Sequence, residues 1–374
     1  MPVDSPLPPR RVPYVDLARQ SSEQMPELLA AAERVFARGD YILGSAVAEL
    51  EEQLASYIGV PHVVGLNSGT DALILGLRAL GLSPGDEVIT PPNGFFSCTS
   101  AIVLAGLKPV FADVLADQNI DPAAVAAAVG PRTRAIMAVH LTGRVADMTP
   151  LCEIAAQKRL FVIEDAAQAI GSRYKGEPAG TMGDIGCFSA HPLKNLNAAG
   201  DAGFVVTRHA HIAQKLKILR NIGMLDRDTL VEWSGVARLD TLQASILQVR
   251  LRHLPEVIER RRANAELYRS LLDPAKVFVP PCRQHEFNTF HTFVIQVDRR
   301  DELKAHLERE GIGTAIHYPR PIHLQPVARD LGYRPGDFPV AEKQADRILT
   351  LPIHQYLSQD DIRYVANRVN GFYR

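Results

Sequence analysis

Gly186-Cys187-Phe188-Ser189-Ala190-His191-Pro192-Leu193-Lys194-Asn195-Leu196, continued by Asn197-Ala198-Ala199-Gly200-Asp201-Ala202-Gly203, connects two apolar runs of strand character, residues 184–189 and 203–207. The connection is irregular, rich in small residues, and carries one lysine. The nearest Lys or Arg before it is Lys175 and the next after it is Arg208, so no neighbouring charges mark Lys194 as part of a solvated helix face. An amine removed from water holds its proton less tightly, which makes it a nucleophile toward aldehydes and a proton carrier. A solvated lysine on a polar loop has the same spacing. The stretch alone leaves both readings open.

Outward from this loop, strand and helix patterns alternate about every 20 to 25 residues. Helices are expected at 25–38 and 46–58, separated by Gly39-Asp40-Tyr41-Ile42-Leu43-Gly44-Ser45. A strand at 62–66 leads into Asn67-Ser68-Gly69-Thr70-Asp71-Ala72-Leu73, where a helix begins with Leu73, Ile74, Leu77 and Leu80 on one face. Free N–H groups and the positive end of a helix dipole meet there, which suits a phosphate monoester. Simple capping by Ser68 or Thr70 explains the same residues. The glycines and lysine of a Walker A loop or a dinucleotide turn are absent. Strands follow at 86–92, 109–114 and 135–141, with helices opening at 93–99 and spanning 121–129 and 148–157. The run Leu160-Phe161-Val162-Ile163-Glu164-Asp165-Ala166-Ala167-Gln168-Ala169 delivers Asp165 at a strand's carboxyl end, where open α/β sheets place their ligands. A helix N-cap is the plainer role for that Asp. The alternation predicts a mostly parallel sheet covered by helices on both faces.

From Asp240 a long helical pattern runs to Leu272, and Pro255 is expected to kink or interrupt it. Beyond it, a strand at 292–297, a helix at 300–310 and a terminal helix from 360 read as a second, α+β unit. A chain of 374 residues has room for one large and one smaller domain. Its 41 basic and 42 acidic residues nearly cancel, so no global field recruits nucleic acid or an anionic membrane. Cys98, Cys152, Cys187 and Cys282 are far apart and form no metal-binding or disulfide pattern, which favours reduced thiols and no metal. Residues 1–11 are proline-rich and expected to be frayed. They hold no apolar targeting segment, and no run approaches eighteen apolar residues, so a cytoplasmic protein is expected.

The pattern Phe188-Ser189-x-His191-x-x-Lys194-Asn195, followed by Gly200-Asp201-x-Gly203, resembles the lysine segment of the DegT/DnrJ/EryC1/StrS family, sugar aminotransferases that use pyridoxal 5'-phosphate. Residues 39–45 and Ile316-His317-Tyr318-Pro319-Arg320-Pro321-Ile322-His323-Leu324-Gln325-Pro326 are similar to further motifs of that family. The likeness extends from Val15-Asp16-Leu17 to the C-terminal region. It implies a PLP-dependent transferase of fold type I. The large domain, residues 1–250, would hold a mostly parallel seven-stranded sheet between helices. Residues 251–374 would form a smaller α+β domain, against which residues 1–30 could pack.

The resemblance also implies roles. Lys194 would bond the cofactor aldehyde and move the proton, and Asp165 would pair with the ring nitrogen. Gln168 would reach the phenolic oxygen. Ser68, Gly69, Thr70 and Ser189 would hold the phosphate, and Phe95 would stack on the ring, with Phe96 one position off. His317, Tyr318 and His323 would lie where substrate contacts occur, although domain-interface packing explains them equally. The implied activity moves an amino group from an amino acid, usually glutamate, to a keto sugar, nucleotide-linked in the first instance, in amino-sugar or secondary-metabolite biosynthesis. A keto-cyclitol and a free or phosphorylated keto sugar are the alternative acceptors. A homodimer with shared sites is expected. Some relatives are dehydratases with His in place of the lysine, which Lys194 argues against; retention of Lys194, Asp165 and Gln168 argues against a non-catalytic regulator. One departure stands out: the family's phosphate-binding Asn, contributed by the neighbouring subunit, is Val236 here, with Ser234 or Asn221 as possible substitutes. A lost neutral hydrogen bond weakens binding by about 0.5–1.5 kcal/mol.

Overall fold

The structure, a computed structural model, describes residues 10–374; residues 1–9, most of the stretch expected to be frayed, lie outside them. Helices α1 (Leu17–Arg38) and α2 (Ser45–Ile58) precede an alternating region. It runs β1 (His62–Leu66), α3 (Gly69–Ala79), β2 (Glu87–Thr90), α4 (Phe96–Leu104), β3 (Lys108–Phe111), α5 (Pro122–Ala128), β4 (Thr133–Val139), α6 (Met148–Lys158) and β5 (Phe161–Asp165). Two short strands, β6 (Arg173–Tyr174) and β7 (Glu177–Pro178), come before β8 (Ile185–Ser189), β9 (Gly203–Thr207), α7 (Ala210–Leu219) and α8 (Thr241–Leu271). The remainder holds β10 (Val277–Phe278), β11 (Glu286–Phe287), β12 (Phe293–Val297), α9 (Arg300–Arg309), α10 (Pro339–Arg347), β13 (Ile348–Leu351) and α11 (Gln359–Phe372).

Seven strands form one sheet in the order β1-β9-β8-β5-β4-β2-β3. Neighbours from β3 to β8 pair in parallel, and β9 runs antiparallel to both β8 and β1. The mostly parallel sheet is therefore as expected, because strands buried on both faces read as continuous apolar runs. Side chains alternate between its faces. Ile136, Ala138, Val162 and Phe188 fill one core, while Met137, Ile163, Ile185 and Cys187 fill the other. Each such buried aliphatic or aromatic side chain contributes about 1.5–3 kcal/mol.

A third core gathers Tyr268, Phe293, Ile295, Leu303, Leu349 and Val365 around the sheet β10-β12-β13. Val12 belongs to this core, and its backbone bridges Ile312. The link between the cores is α8, a continuous 31-residue helix. The interruption expected at Pro255 does not occur. Leu251, Leu254 and Ile258 on either side of it are held in the larger core, and that packing outweighs the missing N–H. The helix serves the larger core as far as Ile258, and Ala265 and Tyr268 then enter the smaller one.

The first helix also differs from expectation: it starts at Leu17 rather than at residue 25. Asp16 caps it by accepting the Arg19 N–H at 3.1 Å. Its early turns bury Gln20 and Gln24, polar residues that apolar periodicity does not register. Gln20 exchanges two hydrogen bonds with Asn197, both 3.1 Å, which ties α1 to the loop that carries Lys194.

Candidate active site

The carboxyl ends of the parallel strands and the turn from β1 into α3 enclose a cavity of about 410 Å³. Ser68, Gly69, Thr70, Phe95, Asp165, Gln168, Ser189 and Lys194 all line it, together with His317 and Tyr318. These residues come from five separate segments of the sequence, and the sheet's topology brings the strand ends among them to one edge.

One end of the cavity is built for an anion. Ser68 caps α3 by accepting the Asp71 N–H at 3.0 Å, so the capping expectation holds for Ser68. Among the described residues, nothing accepts the N–H groups of Gly69 and Thr70, which remain free at the positive end of the helix dipole. Ser189, at the end of β8, closes against them. A Cβ at position 69 would lie 2.5 Å from the Ser189 Cβ, so only glycine lets the two backbones approach this closely. The hydroxyls of Thr70 and Ser97 are hydrogen-bonded at 2.8 Å beside them.

The floor holds a carboxylate and an amine. Asp165, buried at the end of β5, accepts the Ala167 N–H at 3.1 Å on Oδ1 and the Cys98 thiol at 2.9 Å on Oδ2. Burial lowers the proton affinity of Lys194, and the nearby Asp165 partly opposes this; the outcome is a pKa of about 8 instead of 10.5. Such an amine has an appreciable neutral fraction at physiological pH. Burial pushes His291 well below its ordinary range and His317 down to about 4, and the Lys194 charge adds to both effects. Both imidazoles are neutral around the amine.

The wall is aromatic. Phe95 precedes α4 and keeps 48% of its surface open. Its ring centroid lies 5.5 Å from that of Tyr318. Phe96 is nearly as exposed as Phe95 but does not line the cavity. Gln168 is fixed at both ends of its amide: Oε1 accepts the Thr142 N–H at 2.7 Å, and Nε2 donates to the Tyr318 hydroxyl at 3.4 Å.

His323 stands apart from this site. It is buried in a separate aromatic group with Phe111 and Phe338, its Nε2 lies 3.1 Å from Glu342, and it does not line the cavity. It sits in the short turn Ile322–Leu324 that follows Pro321. Ser97, His140, His191, Asp201 and His291 line the cavity and were not singled out as site residues from the sequence. His140 and Asp201 had detectable signals, one ending a strand and the other standing in the Gly200-Asp201-x-Gly203 pattern. His291 lies in an irregular segment that gives none. His140 has a fixed tautomer: Nδ1 accepts the Ala146 N–H at 3.2 Å, so Nε2 carries the proton and donates to Glu164 at 2.8 Å.

Val236 is 56% exposed and its backbone bridges Asn221. The two proposed substitutes are engaged elsewhere: the Ser234 hydroxyl takes a bond from Arg78 at 3.3 Å, and the Asn221 side chain takes one from Arg238 at 3.2 Å. Neither lines this chain's own cavity. Among the described residues no group of three or more His, Cys, Asp or Glu side chains is placed to hold a metal ion.

Known proteins resemble this chain over most of its length. A pleiotropic regulatory protein of Geobacillus stearothermophilus is 41% identical over 367 residues, covering 97% of this chain and 99% of the relative. The dTDP-3-amino-3,4,6-trideoxy-alpha-D-glucose transaminase of Streptomyces venezuelae is 39% identical over 369 residues, covering 96% and 97%. Among solved structures, S. venezuelae DesV in complex with a ketimine intermediate superposes with a TM-score of 0.94 at 39% identity, covering 97% of this chain and 98% of that one. NtdA of Bacillus subtilis with bound cofactor PMP gives 0.90 at 29% identity, covering 96% and 84%. The sequence model of one family matches residues 23–370, and this chain belongs to that family, the DegT/DnrJ/EryC1/StrS aminotransferases.

Proposed function

We propose that this aminotransferase moves an amino group from an amino acid, with glutamate as the first candidate, to the keto group of a nucleotide-linked sugar. One observation carries the reading. An amine of lowered proton affinity, Lys194, and a buried carboxylate, Asp165, face one cavity whose other end presents free helix N–H groups. The family's cofactor is pyridoxal 5'-phosphate. The residues present fit it: a phosphate suits Gly69, Thr70 and Ser189, a protonated ring nitrogen suits Asp165, and a flat ring suits Phe95. When bound, that group supplies an aldehyde to carry the amino group and a ring to take up electrons.

The chain's own residues do the rest. Lys194, neutral in part at physiological pH, would hold the group through its aldehyde carbon, with water as the leaving group, and its amine, when free, would carry the proton to and from the substrate carbon that bears nitrogen. Asp165 would stabilise positive charge at the ring nitrogen. Gln168, held by Thr142, keeps an amide at the cavity wall. His317 and Tyr318 line the cavity and would meet the acceptor there, with His317 held neutral by burial.

Two copies complete the site in this reading. Leu225, Leu230, Val231 and Trp233 lie exposed on one loop, Trp233 at 86%, and a homodimer with shared sites would cover them. We place the enzyme in the cytoplasm; among the described residues no helix is long and apolar enough to cross a membrane. The regulatory name of one relative favours a second reading, in which the fold serves a non-catalytic partner. Absorbance separates the two. An aminotransferase with added cofactor shows a band that borohydride bleaches and that Lys194→Ala lacks. Its aminated form then loses the amino group to one member of a panel of nucleotide-linked keto sugars, free keto sugars and keto-cyclitols. Absence of the band with wild-type protein would exclude the aminotransferase reading.

A further inference from the structure

Asp165 meets the cavity through its carboxylate, and one of its two oxygens is already engaged from below. Cys98, fully buried in the first turns of α4, donates its thiol proton to Asp165 Oδ2 at 2.9 Å. Burial, and then the Asp165 charge, hold that thiol protonated far above its ordinary range. It is therefore a fixed donor rather than a nucleophile; its thiol donates to Asp165, and Lys194 lies near enough for its charge to act on it in the opposite sense.

We propose that Cys98 is a positioning residue that sets the rotamer and the charge density of Asp165, and through it the proton affinity of whatever base the carboxylate faces. The proposal rests on the reading of Asp165 as the partner of the ring nitrogen. The thiol donates to the carboxylate, which fixes its orientation and draws off part of its charge. With the donor removed, Oδ2 is buried without a partner and the carboxylate carries a fuller negative charge. Lys194, which the Asp165 charge already influences, then holds its proton more tightly.

The test uses Cys98→Ala, Cys98→Ser and Asp165→Ala, each purified and titrated with pyridoxal 5'-phosphate. Two readouts are followed: the pH midpoint of the bound cofactor's absorbance change, and in cofactor-free protein the pH dependence of Lys194 acylation. The expected result is an upward shift of about 0.4–1 pH unit in both for Cys98→Ala, the equivalent of one neutral hydrogen bond. Cys98→Ser, which keeps a donor, restores the wild-type midpoint or lowers it. Unshifted midpoints in Cys98→Ala, with Asp165→Ala strongly altered, would overturn the proposal and leave Cys98 as a space-filling residue. Unshifted midpoints in Asp165→Ala would instead defeat the role given to Asp165 itself. A Cys98→Ala variant that fails to fold leaves the Cys98→Ser comparison decisive: a midpoint above the wild-type value contradicts the proposal.

Discussion

At neutral pH the Lys194 amine carries its proton in a place that penalises the charge. Its pKa falls from 10.5 in the unfolded chain to about 8 in the folded one, so between those values the unfolded state binds more protons. Stability from this group therefore rises with pH through that window, and below pH 8 the folded protein bears the full penalty. Lys194→Met should accordingly make the cofactor-free protein more stable at pH 7 by about 1–3 kcal/mol, with the difference closing as the pH rises toward 10.5. Denaturant melts of both proteins across that range check it. A second expectation concerns the aromatic pair. Phe95→Ala should weaken cofactor binding by about tenfold or more, the equivalent of a lost aromatic contact, and Phe96→Ala much less, as measured by absorbance titration. The lysine's isolation between Lys175 and Arg208 was legible in the sequence because charge spacing is a local property. Its neighbours His291 and Ser97 were not, because they reach the cavity only through the fold.

At the scale of elements, α4 touches the site at several successive positions: Phe95 before its first turn, then Ser97 beside Thr70, then Cys98 beneath Asp165. The parallel strands were readable because burial on both faces writes an unbroken apolar run. The start of α1 was not, since Gln20 and Gln24 are buried through hydrogen bonds instead of apolarity. The interruption expected at the proline of α8 fails to occur for a related reason. Local propensity opposes a continuous helix at Pro255, and tertiary packing by Leu251, Leu254 and Ile258 overrides it. The cost is still present: the Leu251 carbonyl lacks its usual partner. Pro255→Ala should raise stability by about 1–2 kcal/mol without changing activity, which thermal melts and turnover measurements can establish.

For the molecule as a whole, the proposed division into residues 1–250 and 251–374 places its boundary inside α8, which spans both cores. A helix shared in this way couples the two units. His317 and Tyr318 come from the far side of that boundary yet line the cavity with Lys194, so the site is assembled between them. His323 shows where motif reading stops: a short linear pattern places neighbours in sequence, and a turn at Pro321 separates them in space. The proposed dimer yields a further expectation. Trp233→Asp should move the protein to the single-chain mass in light scattering and weaken cofactor retention, whereas a monomeric wild-type protein would argue against shared sites.

The seating of Val12 beside Ile312 in the smaller core has a consequence for biosynthesis. The segment around Val12 must wait for one made three hundred residues later before it finds its place. During translation that core stays open while the large sheet can already close, and the smaller core is completed by a segment made well before it. Trimming a dozen residues from the front should therefore loosen the back.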